Sequence, residues 1–99
     1  MRAKNGQEFS MIIKAGEVNI DVMEENVLYY YKDTGKVWMY CPCGCETIIT
    51  IPTAHIGKYV HNIWEILGVT TGKISLSPSI INQPCGAHFI IIDGKLRWH

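Results

Sequence analysis

Apolar positions along this chain recur mostly at every second residue and in short runs, a pattern of half-buried strands rather than helices. Phe9 to Lys14 is one such run. Glu17 to Met23 is a second, in which Val18, Ile20 and Val22 alternate with Asn19 and Asp21 after an Ala15-Gly16 turn. Val27 to Lys32 is a third, and its Tyr29, Tyr30 and Tyr31 are expected to divide between the two faces of a strand. Asp33-Thr34-Gly35 reads as a turn, after which Val37 to Tyr40 leads into a cysteine cluster and Thr47 to Ile51 leaves it. The stretch from Pro52 to Gly72 is mixed: Ile56, Tyr59, Val60, Ile63 and Trp64 suit a short helix, whereas Trp64 and Ile66 suit a strand. A loop followed by a strand is the reading adopted. Lys73 to Ser77 alternates again and Pro78 is expected to break it. His88 to Ile92 and Lys95 to Trp98 flank Asp93-Gly94, a hairpin signal. The sum predicts a mostly β fold, a small antiparallel β domain occupying residues 1–99 as one unit.

Composition agrees with that picture. The chain has 99 residues, 47% hydrophobic and 18% charged, enough for one modest core. Nine basic and nine acidic residues leave no net charge, which argues against general nucleic-acid binding and against electrostatic docking on a membrane. No apolar run approaches the ~20 residues of a membrane span, and the polar start from Met1 to Glu8 lacks the core of a signal peptide. A cytoplasmic location is therefore expected, where thiols stay reduced. Nothing in the sequence bears on oligomeric state.

All four cysteines lie in two clusters, Cys41-Pro42-Cys43-Gly44-Cys45 and Cys85-Gly86-Ala87-His88. Zinc takes four tetrahedral ligands with sulfur at ~2.3 Å, so ligand sulfurs must converge to within ~4 Å of one another. Alternate side chains on a straight strand stand ~6.6 Å apart, so the chain has to bend. Pro42 and Gly44 suit that bend, as do Pro84 and Gly86 around Cys85. Five candidate ligands are present, Cys41, Cys43, Cys45, Cys85 and His88, and one is surplus. Either an all-cysteine site frees His88, or a site of three cysteines and His88 frees one of the first three thiols. Zinc in such a closed shell is structural and adds folding energy to a small domain.

Several linked motifs resemble a small bacterial family known as a domain of unknown function and found beside ubiquitin-like conjugation genes. They are Val27-Leu28-Tyr29, Cys41-Pro42-Cys43-Gly44-Cys45, Trp64, Ser75-Leu76-Ser77-Pro78-Ser79-Ile80, Cys85-Gly86-Ala87-His88-Phe89 and Gly94 to Trp98. The resemblance runs from about Met23 to the end and leaves the first twenty residues outside. The family usually has Gly after the third cysteine; Glu46 stands there in this chain. The resemblance implies a peptidase that processes or deconjugates a ubiquitin-like protein. With it, the all-cysteine ligand set of Cys41, Cys43, Cys45 and Cys85 is preferred, and His88 is left for other chemistry.

Peptidase chemistry then points to Ser77, Ser79 and His88. A serine hydroxyl becomes a nucleophile when a neighbouring base takes its proton, and histidine is the usual base. Ser79 is preferred to Ser77, which still belongs to the alternating strand, whereas Ser79 lies past Pro78 where the chain leaves the ladder. Backbone N–H groups are the expected oxyanion donors. No third member is evident, since Asp93 opposes His88 on a regular strand. His55 and His61 fall in the mixed stretch and are expected to face solvent, either becoming the base if His88 binds metal. His99 is expected to fray. Trp64 and Trp98 are expected to pack in the core or at its rim. Three other classes stay open: a zinc-stabilised module that binds a protein partner along a sheet edge, a metallohydrolase using Glu46, and redox chemistry at a spare cysteine.

Overall fold

The computed structural model describes residues 2–54 and 63–99. Eight strands form one curled sheet in simple chain order: β1 (Ser10–Lys14), β2 (Val27–Tyr31), β3 (Lys36–Tyr40), β4 (Ile48–Ala54), β5 (Trp64–Leu67), β6 (Ser75–Asn82), β7 (Ala87–Ile92) and β8 (Lys95–Trp98). Neighbouring strands are antiparallel except for β1 with β2 and β4 with β5, which are parallel. The polar N-terminal segment closes the curl. Gly6 N donates to Leu96 O, Leu96 N to Gln7 O and Phe9 N to Gly94 O, which lays the segment along β8 before it runs on into β1. The segment thereby covers the β8 edge that an open sheet would expose.

The inward faces share one core. Leu28, Val37, Met39, Ile51, Ile66, Leu76, Ile80, Phe89, Ile91 and Leu96 are all buried in it. Trp64 and Trp98 pack against it partly buried, as the sequence suggested. Every residue of β2 is buried, because that strand has packing on both sides. Tyr30 joins the main core, while Tyr29 and Tyr31 join a second cluster with Met23 and Val27, against which Val18, Trp38 and Tyr40 pack.

Two expectations are corrected here. Residues 17–23 form no strand: they belong to the crossover that a parallel β1–β2 pair requires. Asn19 and Asp21, read as the polar half of an alternation, instead make a turn. The Asn19 side chain accepts from Asp21 N at 3.1 Å and caps a single 3₁₀ turn at Ile20–Val22. Val18 and Met23 then reach the second cluster while Ile20 and Val22 stay exposed. The Tyr29 hydroxyl accepts from Glu24 N at 2.8 Å and pins the crossover to the sheet.

The second correction concerns Pro78, which does not end its strand: β6 continues to Asn82. Leu76 pairs with Ile91 and Ile80 with Phe89, so the four steps from Leu76 to Ile80 oppose two on β7. A bulge at Ser77-Pro78-Ser79 absorbs the excess, and at a bulge the missing proline N–H is tolerated. Both flanking residues, Leu76 and Ile80, remain in the core. The strand half of the reading for the mixed stretch holds at β5, while its first residues, Pro52 to Ala54, continue β4; the loop, and the alternative helix over Ile56, Tyr59 and Val60 with His55 and His61, lie outside the described residues.

Candidate active site and metal centre

The β6–β7 hairpin carries Ser79 and His88 on its strands and Cys85 in its turn. Its turn is drawn tight by Cys85 N and Gly86 N, both donating to Asn82 O. On the opposite side of the site, β3 ends at Tyr40 and the chain folds into a knuckle before β4. Gly44 N donates to Cys41 O and Cys41 N to Thr47 O, closing that knuckle at both ends. Gly44 has φ +88 and Glu46 φ +65, both in the left-handed region that favours glycine. Glu46 is thus a side chain held in a conformation that favours glycine.

The two turns bring the four thiols together. Cys41 Sγ lies 3.4 Å from Cys43 Sγ and 3.5 Å from Cys85 Sγ, and Cys43 Sγ lies 3.5 Å from Cys85 Sγ. With Cys45 included, all four sulfurs lie within 4.8 Å of one another. Sulfurs at the corners of a tetrahedron about an ion ~2.3 Å away stand ~3.8 Å apart, so the cluster fits a metal ion with four sulfur ligands. Burial pushes the Cys41 thiol up to about 12 and raises that of Cys43. The hydrogen bond from Thr47 draws the exposed Cys45 thiol down to about 6. Asn82 supports the centre from below: its amide Nδ2 donates to Cys85 Sγ at 3.2 Å and to Thr47 Oγ1 at 2.8 Å.

His88 is not part of this cluster. It projects outward from β7 between the inward-facing Ala87 and Phe89, and its Nε2 lies 2.8 Å from Ser79 Oγ. Ser79 reaches it from the bulge, and its own carbonyl accepts from Trp64 Nε1 at 3.4 Å. Ser77 sits two residues earlier, paired with Glu65 on β5, and makes no hydrogen bond to His88. Asp93 lies at the β7–β8 turn, where its backbone N donates to Ser75 Oγ. Among the described residues no carboxylate is hydrogen-bonded to His88.

One feature escaped the sequence. His99 does not fray: its backbone N donates to His88 O at 2.9 Å, and its ring stacks on His88 with centroids 4.5 Å apart and planes 17° apart. The β7–β8 register makes this possible, since Phe89 pairs with Trp98 and places the next residue of each strand side by side. The Asp93-Gly94 hairpin signal was the available clue, because extending its pairing by one step past Trp98 reaches His99.

Fold and site together define a small curled β-sheet protein with four thiols clustered in a geometry that fits a metal ion and a serine–histidine pair on one hairpin. The chain belongs to the bacterial ubiquitination-like system serine protease (BubE) family, whose model matches residues 14–99. The match begins before Met23, so it takes in part of the N-terminal region that the motifs alone left outside. No curated protein and no solved structure matches the chain.

Proposed function

We propose that this protein is a serine peptidase that processes a ubiquitin-like precursor or releases a ubiquitin-like protein from its conjugates, with Ser79 as nucleophile and His88 as base. The observation that carries the reading is the 2.8 Å contact between Ser79 Oγ and His88 Nε2, in a chain of a serine protease family. With Ser79 donating, His88 holds its own proton on Nδ1. Ser79 Oγ attacks the carbonyl while His88 Nε2 takes its proton, and the bond to the leaving amine breaks as His88 returns that proton. Water then repeats the sequence on the acyl-enzyme. The bulge lifts Ser79 out of the β6–β7 ladder, and backbone N–H groups are the proposed donors to the developing oxyanion.

Zinc is the metal proposed for Cys41, Cys43, Cys45 and Cys85, because a four-thiolate shell suits it and leaves no open position for water. It supplies folding energy and rigidity, and the peptidase steps fall to Ser79 and His88. Residues 1–99 are proposed to fold as one unit in the cytoplasm. No helix among the described residues is long and apolar enough to cross a membrane.

Reaction of the folded protein with a fluorophosphonate tests the proposal. Mass spectrometry should find one adduct, on Ser79. An unlabelled protein would favour a module that binds its ubiquitin-like partner without cutting it.

A further inference from the structure

We infer that His99 is a positioning residue for His88, an assignment that rests on the peptidase reading of the Ser79–His88 pair. A histidine on the outer face of a strand has about three staggered χ1 wells open to it, and the one His88 occupies puts its Nε2 2.8 Å from Ser79 Oγ. Its cross-strand neighbour on β6 is Ile81, whose side chain is exposed and leaves room on that side. On the β8 side the His99 ring fills the space, face to face with His88.

The stack decides what kind of help His99 gives. Planes only 17° apart put the face of one ring on the face of the other, so His99 does not meet the Nδ1 edge of His88 as a triad carboxylate would. It removes alternative rotamers by contact and leaves the Nε2 contact with Ser79 in place. The backbone bond from His99 N to His88 O fixes the register of the stack. A base that occupies its competent rotamer only part of the time lowers the rate by that fraction. A flat ring of any chemistry at this position should therefore serve, and a methyl group should not.

Three proteins test this, wild type, His99→Phe and His99→Ala, each checked for a native melt. Three-bond couplings about χ1 of His88 should report one rotamer in wild type and His99→Phe, and averaged couplings in His99→Ala. The rate of Ser79 modification by a fluorophosphonate should fall about three- to tenfold in His99→Ala and recover in His99→Phe. Unaveraged couplings in His99→Ala would overturn the inference, as would a His99→Phe protein as slow as His99→Ala. Failure of the peptidase reading looks different: wild type would then resist the fluorophosphonate while the couplings still responded to His99→Ala.

Discussion

The side-chain amide of Asn82 donates to the Thr47 hydroxyl across 2.8 Å, joining the two turns that carry the cysteines. The same nitrogen lies 3.2 Å from Cys85 Sγ, and Thr47 Oγ1 lies 3.0 Å from Cys45 Sγ. Asn82 is also the buried polar residue of the described chain. Such supporting bonds orient metal ligands, and their loss commonly costs about 10- to 100-fold in affinity. Asn82→Ala should weaken zinc binding by that order in a chelator competition. Unchanged affinity would reduce Asn82 to a packing residue.

If the cluster holds zinc as proposed, its removal should reach the Ser79–His88 pair, because Cys85 sits in the turn between the strands that carry the two residues. Cys85→Ser, or a strong chelator, should lower the melting temperature and abolish fluorophosphonate labelling together. His88→Ala should lose labelling yet keep one zinc per chain, measured by metal analysis. Zinc lost from the His88 variant would make the histidine a ligand.

Loading of the cluster should depend on pH with a definite sign. Burial pushes the Cys41 thiol up to about 12 and raises Cys43, so both hold protons through the neutral range without metal. A bound ion needs thiolates and displaces those protons, so affinity falls as pH falls, by on the order of tenfold per pH unit for each proton displaced. Calorimetry in buffers of different ionisation enthalpy counts the protons released. No release would contradict the assignment of Cys41 and Cys43 as ligands.

Glu46 offers a stabilising change. Its φ of +65 is unfavourable for a side chain and neutral for glycine. Offsetting that strain against the greater freedom of unfolded glycine, Glu46→Gly should raise stability by about 0.5–1 kcal/mol. Denaturant unfolding of the zinc-loaded protein checks the direction; a lower midpoint would show that the Glu46 side chain holds the knuckle.

Much of this arrangement was legible before the fold was known, for local reasons. Short apolar runs located β2, β3, β7 and β8, and Asp93-Gly94 located their last hairpin, with positive φ at both residues. Cysteine spacing brought out the cluster, and Pro78 drew attention to Ser79. What alternation could not show was which strands run parallel. Val18, Ile20 and Val22 keep period two, yet the chain must cross over between β1 and β2, and that is a tertiary requirement. Pro78 departs from its expected role as a strand breaker for a related reason: a bulge accommodates it inside a strand whose flanking Leu76 and Ile80 stay anchored in the core. The His88–His99 stack depends on strand register and has no motif of its own.

The most direct test of the account is the cleavage rate of a bacterial ubiquitin-like precursor by wild type, Ser79→Ala, His88→Ala and the double variant, all zinc-loaded and folded. Residues that act as one unit are non-additive. Each single variant should lose several orders of magnitude in kcat, the double should lose no more, and Ser77→Ala should stay near wild type. A folded Ser79→Ala protein that cleaves the precursor at the wild-type rate would contradict the account.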